Sequence, residues 1–323
     1  MEMVHEIDAA EGRIRPYIRE TPVEESSALA GPAGGPGGRG APRVFLKLEN
    51  LQITGSFKLR GAMNKLLSLS ARQKEAGIVT ASSGNHGAAV AFGLKALGCK
   101  GVIFVPENVS PAKVANIRSF GAEVRTHGLD SGHTEVFARR QAEEQGRVYV
   151  SPYNDPVVVA GQGTIGLEMA RQVPRLDAVF VALGGGGLIS GIASYLKSAK
   201  PGVEVVACSP ENSAVMHHSM AAGRILEMES KPTLSDGTAG AVEKDAITLD
   251  LCTRLVDRSL LVSEEEIRAA MRLVIETHHT LIEGAAGVAV AGFLKERGRL
   301  AGKTAAVVLC GANIARDRLK ETL

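Results

Sequence analysis

The sequence has no tryptophan, and its aromatic complement is 8 Phe and 4 Tyr in 323 residues. So few flat rings argue against a surface that stacks nucleotide bases. The core must be aliphatic, since 45% of residues are hydrophobic and only 4% aromatic. Excess charge is missing too. The 37 Lys and Arg nearly balance 35 Asp and Glu, leaving a formal net charge of +2. That gives no electrostatic footprint for nucleic acid or an anionic membrane. Cysteine is sparse: Cys99, Cys208, Cys252 and Cys310 lie far apart and form no C-x-x-C pair. This excludes a disulfide or zinc framework and points to a reducing cytoplasm. No run of about 18 apolar residues exists to cross a bilayer. The charged start, MEMVHEIDAAEGRIRPYIRE, lacks the apolar stretch of a signal peptide. What remains is a soluble globular composition, long enough for one large domain or two ordinary ones.

Glycine is in surplus. There are 37 glycines, where an average usage of ~7% would give about 23. Residues 31–43, GPAGGPGGRGAPR, read as a flexible surface linker. Around it the chain alternates between short apolar runs and helix-period segments. A first helix is expected from Val4 to about Ile18, ended by Pro22. Strands are expected at 44–49, 77–82, 101–106, 147–152, 178–184, 203–210 and 304–311. Helices are expected at 88–98, 111–121, 161–173, 188–199 and around 213–223. Strands buried on both faces read as continuous apolar runs, and strand–helix alternation implies parallel sheets. The class is α/β, and the strands are too many for one compact sheet, so two open parallel-sheet domains are expected.

Ligands in open α/β sheets bind beyond the carboxyl ends of strands. Two strand-end loops have the residues for it. Gly184, Gly185, Gly186 and Gly187 follow AVFVALG and precede a helix. Four bare backbone units allow N–H groups to converge on an anion at a helix start, which suggests a phosphate cup. The run fails G-x-G-x-x-G, which weakens a dinucleotide reading. The second loop, Ser82-Ser83-Gly84-Asn85-His86-Gly87, brings together hydroxyls, an amide, an imidazole and free N–H groups, suited to a carboxylate. A third segment sets Lys58 beside Phe57 and Leu59 at a helix start. Burial there would lower the lysine pKa and make the amine nucleophilic.

Together these segments resemble the fold-type II pyridoxal phosphate enzymes, closest to the threonine/serine dehydratase (ammonia-lyase) and serine racemase group. The resemblance runs from about Lys47 to Asn313. KLENLQITGSFKLRGA looks like the cofactor-lysine segment, SSGNHG the substrate and cofactor loop, GGGG the phosphate loop, and VVLCGANI the segment meeting the pyridine nitrogen. It implies a tryptophan synthase β-like fold. A large cofactor domain would span 1–76 and 151–323, and a small domain 77–150 would carry SSGNHG. It implies that Lys58 forms a Schiff base with pyridoxal 5'-phosphate and later acts as a base at Cα. Phe57 would lie against the cofactor, Asn85 bind its 3-hydroxyl, Gly184 to Gly187 its phosphate, and Cys310 face its ring nitrogen. Glu283 would lie near the ring. Ser82, Ser83, Asn85 and His86 would hold the substrate carboxylate, with Ser83 also on the face opposite Lys58. The implied reaction is α,β-elimination of water from a β-hydroxy amino acid, giving a 2-oxo acid and ammonia. A racemase on the same scaffold, or a dehydratase-like lyase of hydroxyectoine breakdown, is the alternative. A small-molecule amino-acid substrate and a homodimer or homotetramer are implied, with no nucleic acid or membrane partner.

The chain also departs from the family. Ser209 and Val215 stand where members with a divalent cation place carboxylates, and only Glu211 is nearby, so no metal site of that form is expected. His217-His218 and His278-His279 are adjacent pairs, which point apart on a helix and suit polar surface positions better than ligation. The chain ends at Leu323, about ten residues after Asn313, which leaves no room for a C-terminal regulatory domain.

Overall fold

A computed structural model describes residues 2–31 and 40–323. Residues 32–39 of the expected linker lie outside the described residues. The apolar runs form β2 (Arg43–Lys47), β3 (Ile78–Ala81), β4 (Gly101–Val105), β6 (Val148–Tyr149), β7 (Ala178–Ala182), β8 (Glu204–Pro210) and β10 (Thr304–Val308). Three further strands are β1 (Val23–Glu25), β5 (Glu123–Thr126) and β9 (Arg258–Val262). One sheet has the order β1-β2-β10-β7-β8-β9 and the other β5-β4-β3-β6. Every pairing is parallel except β1 with β2. The class is α/β, with two sheets.

The three strands that the apolar pattern did not disclose are all sheet edges. Each has one neighbour, so each is only half covered: β5 exposes Glu123, Arg125 and Thr126, and β1 exposes Glu24 and Glu25. By contrast β7, between β10 and β8, is buried at all five positions. Burying each Val or Phe there stabilises the sheet by about 1.5–3 kcal/mol.

The first helix is shorter than expected. It spans Glu2–Ile14 and tightens into a 3₁₀ turn at Arg15–Tyr17. Pro16 has no amide to continue the α pattern, so the chain turns out four residues early. Other helices begin earlier than their apolar periodicity. Pro156–Gln172 starts where Asp155 accepts from the amides of Val157 and Val158 and Pro156 supplies a preset φ.

That helix organises the site. It packs against Lys58–Ser68 on one side and Gly187–Ala199 on the other. The approach is backbone to backbone. A Cβ on Gly161 would lie 2.6 Å from Gly61 Cα, and one on Gly191 would lie 2.6 Å from the Gly163 nitrogen. The helix bearing Lys58 and the helix following the glycine loop are thereby held to one support. Beneath it lies a buried ion cluster. Arg60 makes double contacts with Glu49 and with Glu168 at 2.8 Å, and Lys47 reaches Glu168 at 2.5 Å. All four side chains are fully buried. Among the described residues no helix is long and apolar enough to cross a membrane.

Candidate active site

The carboxyl ends of five strands meet between the two sheets. The loop after β2 leads to Lys58, and Cys310 follows β10. Gly184–Gly187 follow β7, Ser82–Gly87 follow β3, and Pro152 follows β6.

Lys58 opens the helix Lys58–Ser68, with Phe57 as its N-cap. Its Nζ donates to the Pro152 carbonyl at 2.9 Å and lies 5.1 Å from the Phe57 ring centroid. Burial lowers its pKa to about 8, partly opposed by Cys310, Glu283 and Glu135. The neutral amine that a nucleophile or base requires is therefore far more abundant near neutrality than for an ordinary lysine.

Among the described residues none of the amides of Gly184–Gly187 finds a hydrogen-bond partner. Side chains would spoil the loop. A Cβ on Gly184 would lie 2.8 Å from Thr238 Cα, and one on Gly185 would lie 2.6 Å from the Tyr153 ring. Gly186 has φ +86°, in the left-handed region. Thr248 donates to the Gly185 carbonyl at 2.7 Å, so the loop's carbonyl is turned away and held. The cup presents donors only, which selects an anion.

In the second loop, Gly84 is the N-cap of Asn85–Leu97, and Ser82 Oγ accepts its amide at 3.2 Å. Neither Ser83 nor Asn85 serves as a side-chain cap of this helix. Asn85 Nδ2 lies 2.9 Å from each carboxyl oxygen of Glu283, and Asn85 Oδ1 accepts from Asn313 at 2.7 Å. His86 is buried, with Nε2 3.0 Å from the Val150 carbonyl. A carbonyl only accepts, so Nε2 carries the proton and donates. Burial and the nearby Lys58 charge lower the ring's pKa to about 3, so it is neutral. Its Nδ1 is buried and unpartnered among the described residues. The imidazole N–H is thus already used, and what His86 has left for a carboxylate is its first-turn backbone amide.

Glu283 precedes the helix Gly284–Glu296, and its amide donates to the Gly311 carbonyl at 3.0 Å. Burial raises its carboxyl to about 7, against the opposing pull of Asn85 and Lys58. Cys310 is buried beside it, and burial pushes the thiol well above its ordinary value. It is a neutral S–H.

The structure thus brings Phe57, Lys58, Asn85, His86, Glu283, Cys310 and the glycine loop to one cleft. Ser82 and Ser83 lie in the same loop as Asn85, directly after β3, whereas the histidine pairs and Ser209 lie elsewhere. His217 Nδ1 pairs with Ser259 at 2.7 Å and His278 Nε2 with Ser26 at 2.7 Å. Ser209 donates to the Leu183 carbonyl at 3.0 Å.

Sequence reasoning overlooked Tyr153, Thr238 and Asn313. Tyr153 could have been found, because the polar run after β6 is another strand-end loop. So could Asn313, in the loop after β10. Thr238 belongs to an irregular stretch with no periodic signal, and only the fold lays it over Gly184.

A family model described as pyridoxal-phosphate dependent enzyme matches residues 14–311. An L-threonine ammonia-lyase of Thermotoga maritima is 39% identical over 311 residues, 96% of this chain and 75% of that protein. The solved structure of the processed form of threonine deaminase isoform 2 from Solanum lycopersicum superposes with a TM-score of 0.93. It is 30% identical, over 99% of this chain and 86% of that one. Maize serine racemase superposes with a TM-score of 0.89 at 31% identity, over 99% and 97% of the two chains.

Proposed function

Because the chain belongs to the pyridoxal-phosphate-dependent enzyme family, we propose that it removes water from threonine or serine and releases a 2-oxo acid and ammonia. The observation that carries this is the buried Lys58 amine, lowered to about 8 and set between two donor-rich loops. Similarity to the threonine ammonia-lyase supports the choice of reaction.

The residues present fit pyridoxal phosphate. Unpartnered amides at a strand end suit a phosphate, a buried amine of lowered pKa suits an aldehyde, and a neutral thiol suits a ring nitrogen. When bound, the cofactor supplies an electron sink for the bond broken at the substrate's Cα. Gly184–Gly187 would hold the phosphate, and Asn85 would donate to the ring's oxygen, with Phe57 and Glu283 beside it. Lys58 would anchor the group through Nζ, and its amine would serve as the base toward the substrate's Cα proton. Cys310 would face the ring nitrogen as a neutral thiol, with no acid to protonate it. Ser82, Ser83 and the first-turn amides of Asn85 and His86 bind the substrate carboxylate, and Ser83 takes the second proton-handling position. The same reading assigns 1–76 and 151–323 to the cofactor domain and 77–150 to the domain that carries the carboxylate loop.

A racemase is the second reading, supported by the likeness to maize serine racemase. One panel separates them. Threonine, serine and 3-hydroxyaspartate are supplied to the holoenzyme, and ammonia, 2-oxo acid and D-amino acid are scored. Ammonia from threonine or serine, well ahead of any D-isomer, is expected. D-isomer in excess of oxo acid would replace elimination by racemisation, and neither product would remove both readings.

The reading extends to assembly and compartment. Leu51, Ile53 and Leu281 are exposed side chains gathered around Asn50, which donates to the Leu281 carbonyl. They support a homodimer or homotetramer, and a sedimentation mass of one 33.8 kDa chain would remove that part. Four free cysteines support a cytoplasmic, reducing location.

A further inference from the structure

One hydrogen-bonded chain runs across the cleft between the sheets. Asn313 Nδ2 donates to the Thr54 carbonyl at 2.8 Å, just ahead of Lys58, and to Asn85 Oδ1 at 2.7 Å. Asn85 Nδ2 in turn reaches the two carboxyl oxygens of Glu283 at 2.9 Å. The direction of these amides follows from their first member. A backbone carbonyl can only accept, so Asn313 must turn its nitrogen toward Thr54. The second hydrogen on that nitrogen then meets Asn85, which must answer with oxygen. Asn85 is left with its nitrogen toward Glu283 and one further hydrogen to offer. Room for the relay is made by glycines. Gly55 has φ +72°, and a Cβ there would lie 2.7 Å from Asn313 Oδ1. A Cβ on Gly311 would lie 2.6 Å from Glu283 Oε1.

We propose that Asn313 is a positioning residue that fixes the orientation of the Asn85 side-chain amide, so that Asn85 presents a donor to the bound cofactor. The proposal rests on the reading above that Asn85 touches that cofactor. Without Asn313, only Glu283 steers Asn85. An ionised Glu283 accepts and keeps the nitrogen toward it. A protonated Glu283 can donate, attract the Asn85 oxygen and let the amide turn over. Lys58, Cys310 and Asp236 also face Glu283, as does the Asn313 backbone amide, and Asp236 is itself paired with Lys113 at 2.9 Å. Burial holds the carboxyl up to about 7, so both states are reached within a workable pH range.

The test is the dissociation constant of pyridoxal phosphate for apo-protein, titrated by absorbance at about pH 6 and about pH 8.5, on either side of the Glu283 transition. Each variant is expressed as a ratio to the parent at the same pH, which cancels the titration of Lys58. Asn313→Ala should weaken binding about tenfold at the lower pH and about twofold or less at the higher, as loss of one or two hydrogen bonds allows. In an Asn85→Ala background the same substitution should change nothing. Asn313→Asp, which cannot donate to Thr54, should weaken binding at least as much. Asn313 is exposed, so the melting temperature of the apo-protein should not move. Equal weakening at both pH values, or multiplying effects in the double variant, would overturn the proposal and leave Asn313 with a merely structural part. If Asn85→Ala alone leaves the dissociation constant unchanged, the assignment of Asn85 fails first and takes the proposal with it.

Discussion

Replacing Lys58 with alanine is expected to abolish turnover and the visible absorbance of lysine-bound cofactor. Two contributions disappear together. The first is the covalent anchor, and the second is the base at Cα. General acid–base catalysis alone is worth about 10²–10⁴-fold, so the combined loss should exceed about 10⁴-fold. The protein should still fold, because alanine is a good helix former at the first position of Lys58–Ser68. The pH dependence of cofactor capture offers a second measurement on the parent. Burial lowers the Lys58 amine to about 8. Only the neutral amine attacks an aldehyde, and it predominates above that pKa. The rate of capture by apo-protein should therefore rise about tenfold per pH unit up to about 8 and then level. An ordinary lysine would keep rising to about 10.4. Gly185→Ala is the contrasting variant. Its Cβ would come within 2.6 Å of the Tyr153 ring, so it should loosen cofactor retention while the linked cofactor keeps its colour. An active, coloured Lys58→Ala protein would remove the lysine assignment outright.

The largest effect on stability is expected from Arg60→Met. Arg60 forks onto Glu49 and onto Glu168, with four contacts of 2.8 Å, and none of these side chains reaches solvent. Methionine keeps much of the volume but leaves Glu168 with Lys47 and the partly exposed Arg15, and leaves Glu49 with the Thr21 hydroxyl in place of a paired cation. Breaking a buried pair in this way costs about 3–5 kcal/mol. The melting temperature should fall by roughly 5–10 °C. Arg60→Lys keeps the charge but not the fork, and should recover part of the loss. The cluster also sets acid stability. Burial would raise the Glu168 carboxyl, but Arg60 and Lys47 outweigh it and bring it to about 2. A carboxyl depressed by folding stabilises the protein above its unfolded pKa. That contribution is present above about 4.5 and is lost as pH falls toward about 2. The Arg60→Met protein should show much less of this acid dependence. A melting temperature within about 2 °C of the parent would mean that the cluster is not what ties the helix Lys58–Ser68 to Pro156–Gln172 and to the end of β2.

How much of this was legible beforehand depends on what each residue answers to. Buried strands answer to a local rule, continuous apolar sequence, and β7 and β8 were found by it. Edge strands answer to their single neighbour, and β1, β5 and β9 left no comparable trace. The glycine surplus was visible as a number, and Gly184–Gly187 as a motif. The glycines at 61, 161, 163 and 191 were not distinguishable from scattered ones. Their role, letting three helices touch backbone to backbone, exists only once the helices are placed.

The site divides in the same way. Lys58, the four glycines and Asn85 stood out locally, since a helix start or strand-end loop announces its chemistry, whereas Cys310 was singled out only by the family resemblance. What the sequence by itself determined is the class of fold, the family and the reactive groups. The tertiary structure alone decided their states. It buried Lys58 against Pro152 and brought its amine toward neutrality. It used the His86 N–H on Val150, and it raised Glu283 beside Asn85. It also joined Thr54, Asn313 and Asn85, which are separated by up to 259 positions. Protonation and amide orientation depend on dielectric surroundings and on partners distant in sequence, and neither is written in the spacing of residues along a chain.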